Sequence, residues 1–171
     1  MKLVKSIKYL NKILDRYRSD GFKIHLTPTM GALHGGHLKL VKESRKLKSI
    51  VVVSIFVNPT QFGPKEDYKN YPRTLKNDLK VLKKYGADIV FTPIQKQILY
   101  HKTKYNCPQF AIEKKLCGKS RPKYFPGVKN IVLKLFDIVQ PDAAFFGEKD
   151  YQQYLVIKKM TESLKLNTRI I

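Results

Sequence analysis

The sequence predicts an α/β domain, a doubly wound parallel sheet with helices on both faces. Three features predict it: apolar β-branched runs bounded by turn residues, amphipathic helical stretches between them, and a Gly-rich turn joining a strand to a helix. Ile50-Val51-Val52-Val53-Ser54-Ile55-Phe56-Val57 is apolar without interruption up to Asn58-Pro59, the pattern of a strand covered on both faces. Parallel strands need crossover helices, and the following residues supply one. Pro72 opens it, Leu75, Leu79 and Leu82 form its inner stripe, and Lys83, Lys84 and Gly86 close it with charge matched to the helix dipole and a C-terminal glycine.

The other elements follow in chain order. Residues 1–9 carry three lysines and no unbroken apolar stretch, so they read as the start of an amphipathic helix running to about Arg18 and not as a signal peptide. Phe22, Ile24 and Leu26 alternate as in a strand, and Leu40, Val41, Ser44 and Leu47 recur at helical spacing. Residues 88–92 form the next strand. Residues 94–126 are less periodic and read as loops and short helices, with a strand around Phe110 to Ile112. Val128, Ile131, Val132, Leu135, Phe136 and Val139 give the cleanest helical stripe, stopped before Pro141. Residues 143–146 read as a buried strand. A last helix from near Asp150 turns Tyr154, Ile157, Met160 or Thr161, and Leu164 inward, and residues 168–171 form a short strand.

Composition bounds the class. The 171 residues suffice for one domain that buries about 70% of its unfolded surface. With 43% apolar residues and no run of 18 apolar residues, the chain reads as soluble, globular and cytoplasmic. Cys107 and Cys117, with nine residues between them and no CxxC, indicate free thiols and neither a zinc site nor a disulfide framework. The net charge of +21 raises nucleic acid as a partner. Its distribution argues against that: lysines are spread over every helix, and arginine is limited to Arg16, Arg18, Arg45, Arg73, Arg121 and Arg169. A lysine-rich solvated surface that attracts anionic substrates is the simpler reading.

Chemistry concentrates in three loops that leave strand ends. Pro28-Thr29-Met30-Gly31-Ala32-Leu33-His34-Gly35-Gly36-His37 puts glycines and two histidines at a helix N-terminus, where free N–H groups and the helix dipole attract phosphate. Its imidazoles can donate hydrogen bonds to charge building on a five-coordinate phosphorus. The competing reading is a Gly-rich turn with two incidental histidines. Asn58-Pro59-Thr60-Gln61-Phe62-Gly63-Pro64 offers Gln61 as donor and acceptor to a hydroxyl or carboxylate. Gly147-Glu148-Lys149-Asp150 places a lysine for phosphate and an aspartate for capping at a helix start, with Gln152 and Gln153 just inside it. In a doubly wound sheet such loops share one edge, where ligands bind.

Taken together, Pro-Thr-Met-Gly-x-Leu-His-x-Gly-His, Ser54-Ile55-Phe56-Val57-Asn58-Pro59-x-Gln61-Phe62, Tyr71-Pro72-Arg73-Thr74 and Phe146-Gly147-Glu148-Lys149-Asp150-Tyr151-Gln152-Gln153 resemble the pantothenate synthetase (pantoate–β-alanine ligase) family over nearly the whole chain. The resemblance implies a Rossmann-like fold of the HIGH-motif nucleotidyltransferase superfamily. It implies that ATP and pantoate form a pantoyl adenylate with loss of pyrophosphate, that β-alanine then displaces AMP, and that Mg2+ accompanies the ATP. By the same resemblance Met30, Gly31, Ala32, Leu33, His34, Gly35, Gly36 and His37 bind ATP, as do Gly147, Glu148, Lys149 and Asp150. His37 falls where the family places its acid catalyst, with His34 and Lys149 beside it on the phosphates. Gln61 matches a residue shared by pantoate and β-alanine, Gln153 a second pantoate ligand, and Asp78 a candidate aid to magnesium.

The resemblance further implies a homodimer, no membrane and no nucleic acid. Residues 1–171 then form a single nucleotide-binding domain without the family's smaller C-terminal lid, and the expectation is a chain that folds and binds ligands but turns over poorly by itself. One departure lies inside the chain: the family's Ser-Arg-Pro-Gly-His-Phe-x-Gly-Val stands here as Ser120-Arg121-Pro122-Lys123-Tyr124-Phe125-Pro126-Gly127-Val128, with Lys123 and Tyr124 replacing Gly and His. Two other readings are another HIGH-motif adenylyltransferase, which should lack the second and fourth motifs, and a non-catalytic RNA-binding module, favoured only by the charge.

Overall fold

The computed structural model describes residues 1–45, 49–64 and 66–171. Its strands are β1 (Lys2–Val4), β2 (Ile24–Thr29), β3 (Ile50–Ile55), β4 (Ile89–Phe91), β5 (Ala143–Ala144) and β6 (Arg169–Ile170), and its helices α1 (Ile7–Ser19), α2 (Gly35–Arg45), α3 (Leu75–Tyr85), α4 (Gln95–Leu99), α5 (Cys117–Ser120), α6 (Tyr124–Val139) and α7 (Tyr151–Ser163). The strands form one sheet in the order β1-β4-β3-β2-β5-β6, every pair parallel. The predicted α/β doubly wound architecture is the one observed. No helix among the described residues is long and apolar enough to cross a membrane.

The strand period of two divides the core between the two faces. Ile24, Leu26, Ile50, Val52, Ile89 and Phe91 pack against α1 and α6 on one side. Val51, Val53 and Val90 meet Val41 of α2 and Leu82 of α3 on the other. Helix α6 is buried nearly all round, its predicted stripe included. Each of its large apolar side chains contributes on the order of 1.5–3 kcal/mol by leaving water. Its two inward lysines are satisfied locally: Lys129 Nζ reaches Glu113 Oε1 and the Pro108 carbonyl, both at 2.6 Å, and Lys134 Nζ donates to the Leu99 carbonyl. The irregular residues 94–116 are therefore a cover pinned onto α6.

Four expectations are corrected. The N-terminus is not helical from its start, because residues 2–4 pair with β4 as a sheet-edge strand and Ser6 caps α1 by accepting from the Tyr9 N–H. The segment around Phe110 is not a strand. Ala111–Lys114 is a 3₁₀ turn, because Glu113 reaches back to the Phe110 N–H at 2.7 Å while holding Lys129. Pro72 does not open α3, which starts at Leu75 after Thr74. Phe22 lies before β2, exposed and edge-on to Tyr17. Of the predicted α2 stripe, Val41 and Ser44 are buried, and Leu47 lies outside the described residues.

The topology fixes where a ligand goes. From central β2 the chain runs to β3 on one side, while β5 joins β2 on the other, so the winding reverses between β2 and β5. The loops after β2, β3 and β5 all emerge at the C-terminal edge beside that crevice.

Candidate active site

The histidine loop is held by hydrogen bonds from outside its own sequence. Thr29 at the end of β2 donates its hydroxyl to the Ser54 carbonyl at 2.8 Å and accepts the Gly31 N–H at 3.2 Å. The chain then turns through positive φ at Gly31 (82°) and Ala32 (49°). That turn aims the Ala32 and Leu33 N–H groups at the Asp78 carboxylate, at 3.2 and 3.0 Å. Thr74 Oγ1 donates to the same carboxylate, which is 1% exposed. Asp78 is thus a loop anchor whose two oxygens are both engaged, and its expected part in holding magnesium is not supported.

Helix α2 then starts at Gly35, and the two imidazoles stack with ring centroids 4.1 Å apart. His34 is exposed, its Nδ1 accepting the Gly36 N–H at 3.2 Å. His37 is half-buried, and its Nδ1 has no hydrogen-bond partner. Burial first, then the neighbouring His34, lowers the His37 pKa below 6.5, with Lys149 adding to this and Asp150 and Asp78 opposing it. His37 is therefore neutral at pH 7 in the free protein.

The loop after β3 gives a 3₁₀ turn at Pro59–Gln61, capped by Asn58. Asn58 is 1% exposed and is held from both ends: Oδ1 accepts the Thr60 N–H and, at 2.9 Å, the Thr60 hydroxyl, and Nδ2 donates to the Gly127 carbonyl at 3.1 Å. Nδ2 also donates to Gln61 Oε1 at 3.2 Å, so the Gln61 amide nitrogen points the other way, toward Met30 Sδ at 3.2 Å. Gln61 is 6% exposed, not the surface residue of a plain turn. Helix α6 sits directly on this turn because residue 127 is glycine: a Cβ there would lie 2.4 Å from the Thr60 carbonyl oxygen and 2.6 Å from Gln61 Cα.

The loop after β5 leads through a 3₁₀ turn, Glu148–Asp150, into α7. Lys149 is exposed. Asp150 occupies the N-cap position without a side-chain capping bond, so its expected capping is corrected. The adjacent glutamines have different tasks. Gln152 turns away and ties α7 to residues 112–117 through three hydrogen bonds, whereas Gln153 Oε1 accepts the Tyr124 hydroxyl at 2.9 Å.

The three loops enclose one cavity of about 150 Å³ lined by Met30, His37, Asn58, Gln61, Tyr124 and Gln153, with Phe56, Val128 and Phe146 as apolar walls. That is room for about five waters. The cavity brings His37, Gln61 and Gln153 together. His34 and Lys149 are exposed and do not line it; Asn58 and Tyr124 are supporting residues to which the sequence reading gave no role, and Asp78 anchors the loop instead of the magnesium expected of it.

The Pantoate-beta-alanine ligase family profile matches residues 2–171. The chain is 48% identical to the pantothenate synthetase of Acetivibrio thermocellus and to that of Acinetobacter baumannii, in each case over 100% of its own length and 61% of the relative's. It superposes on the crystal structure of pantothenate synthetase from Thermus thermophilus with a TM-score of 0.90 at 39% identity, covering 100% of this chain and 60% of that one. The same TM-score and identity relate it to the pantoate-β-alanine ligase of Francisella tularensis complexed with β-γ ATP and β-alanine, of which it covers 66%. The chain thus spans about three-fifths of the curated relatives it matches. A fold with this edge chamber, matched over its whole length by these relatives, makes the chain a member of the pantoate–β-alanine ligase family.

Proposed function

We propose that this chain binds ATP over the histidine loop and pantoate in the edge cavity, and that its chemistry is ATP-dependent ligation of pantoate to β-alanine through a pantoyl adenylate. The observation that carries this is the pair of amides in the small cavity. The oxygens of Gln61 and Gln153 are both occupied by protein donors, which leaves N–H groups for a ligand that offers acceptor oxygens. A carboxylate with neighbouring hydroxyls is such a ligand. The Gln61 N–H now meets only a thioether, a weak acceptor that an oxygen readily displaces.

The reaction needs little beyond alignment. One carboxylate oxygen of pantoate attacks the α-phosphorus of ATP in line, the P–O bond to pyrophosphate breaks, and negative charge gathers on the five-coordinate phosphorus. His37 at the cavity wall donates to that charge from a fixed position, and His34 and Lys149 neutralise the leaving phosphates. The β-alanine amine then attacks the acyl carbon beside Gln61, and AMP leaves with the bridging oxygen. Segment 147–150 supports the nucleotide from the C-terminal end of neighbouring β5. Magnesium accompanying the ATP would be held chiefly by the triphosphate oxygens and would offset their charge. We read the dispersed lysines as a field for these anionic substrates, in a cytoplasmic enzyme that pairs as a homodimer and binds no nucleic acid.

Calorimetry on this 171-residue protein tests the reading. Pantoate is expected to bind in the presence of a non-hydrolysable ATP analogue. The double change Gln61→Ala, Gln153→Ala is expected to abolish that binding while ATP-analogue affinity stays within about twofold, because polar groups built to pair with a ligand discriminate steeply. Unchanged pantoate affinity in the double variant contradicts it.

A further inference from the structure

We propose that Tyr124, which stands where the family pattern has histidine, is a positioning residue that fixes the Gln153 amide as a hydrogen-bond donor into the acid cavity, and that Arg121 and Glu66 hold it there. The proposal rests on the pantoate-site reading above. The two glutamines are oriented by different means. Gln61 is set by Asn58, whose oxygen accepts the Thr60 N–H and hydroxyl and whose nitrogen donates both to the Gly127 carbonyl and to Gln61. Gln153 is oriented instead by a side chain, the Tyr124 hydroxyl at 2.9 Å. A primary amide can present either its oxygen or its nitrogen, so only a fixed partner decides which faces a ligand. A phenol bound through its O–H selects the oxygen and frees the nitrogen.

The geometry shows why the phenol stays in place. The Arg121 guanidinium carbon lies 4.0 Å from the Tyr124 ring centroid, and Phe125 packs edge-on at 5.0 Å. Arg121 Nε is paired with Glu66 Oε1 at 2.5 Å, and Glu66 Oε2 accepts the Gly63 N–H at 2.5 Å. Glu66, Arg121, Tyr124 and Gln153 thus form one line of contacts from the loop that carries Gln61 to the opposite wall of the cavity. Burial pushes the Tyr124 phenol above its ordinary pKa, so it keeps its proton, and with it the donor, throughout the neutral range. The Gln61 and Gln153 amides then both present N–H groups, which favours a ligand with acceptor oxygens on those two sides, while Asp150 in the lining offers an acceptor.

Tyr124→Phe tests this, because it keeps the ring and the Arg121 contact and removes only the hydroxyl. Pantoate affinity, measured by calorimetry with the ATP analogue present, is expected to fall about tenfold, the scale of one buried hydrogen bond. Affinity for the analogue itself stays within twofold. On a Gln153→Ala background the same change is expected to cost less than twofold, and Tyr124→His, which restores an N–H donor, to recover most of the loss. A ligand-independent readout separates this proposal from the site reading: in the free protein the Gln153 side-chain amide is ordered on the NMR timescale and loses that order in Tyr124→Phe. Equal pantoate affinity in Tyr124→Phe, a full loss that persists without Gln153, or a Gln153 amide indifferent to the hydroxyl overturns the proposal. If the parent protein binds no pantoate while the amide responds as described, the site reading fails and the positioning role stands.

Discussion

Replacing His37 with alanine is expected to slow pyrophosphate release from ATP and pantoate by about 10²-fold or more, with ATP affinity changed only a few-fold. The asymmetry follows from where the charge is. In the proposed mechanism the imidazole, at the wall of the cavity, donates to the reacting phosphorus and contributes little to ground-state grip on the nucleotide. Removing one fixed donor to an anionic transition state costs on the order of 10²–10³ in rate, and an interaction made only there appears in rate and not in affinity. The ionisation behaviour is part of the same result. Burial and His34 hold the His37 pKa below 6.5 in the free protein, so ring-proton shifts titrate at a lower pH than for an ordinary histidine. Bound polyphosphate favours the charged ring and moves the midpoint upward. Single-turnover pyrophosphate release within a few-fold of the parent would exclude the role.

Gly127→Ala is expected to lower stability by about 2–3 kcal/mol, a fall in Tm of roughly 5–10 °C, and to remove pantoate binding while ATP binding survives. The added methyl would approach a carbonyl oxygen to 2.4 Å and a Cα to 2.6 Å. Both belong to backbone, so no side-chain rotation relieves the clash, and either α6 or the 3₁₀ turn has to move. Moving them apart breaks the Asn58 bond to the Gly127 carbonyl and with it the orientation of Gln61. Gly35→Ala serves as the control for stability, because a Cβ there meets nothing within 4 Å. Thermal unfolding and calorimetry read both effects, and a Gly127→Ala protein as stable as the parent contradicts the close approach.

The difference between what was legible in the sequence and what was not lies in the range of the interactions. Strand β3 was legible because burial on both faces demands an unbroken apolar run, and α6 because its inner stripe repeats over about three turns. Strand β1 was not: it is three residues long at a sheet edge, Val4 alone is buried, and Leu3, Ile7 and Leu10 happen to fall at helical spacing. Its existence depends on pairing with β4, more than eighty residues away. The residues around Phe110 are apolar enough for a strand, but Glu113 and Lys129 fold them into a turn. The site divides in the same way. The histidines and the two glutamines lie within contiguous motifs. Their orientation depends on Asp78, Asn58 and Tyr124, whose partners are 45, 69 and 29 positions distant and leave no local periodicity to read.

The central claim is that the acid held between Gln61 and Gln153 attacks the α-phosphorus of a nucleotide held over the histidine loop. Isotope transfer measures that bond directly. Pantoate labelled with ¹⁸O in its carboxylate is incubated with this protein, magnesium ATP and β-alanine, and the AMP formed is weighed by mass spectrometry. The account predicts one ¹⁸O in each AMP released, however few the turnovers, because the bridging oxygen of the pantoyl adenylate comes from the acid and leaves with the phosphate. The label should disappear with the AMP in the Gln61→Ala, Gln153→Ala protein. AMP formed in a pantoate-dependent reaction but carrying no ¹⁸O would mean that water or another group attacks the phosphorus, and would contradict the assignment of the cavity.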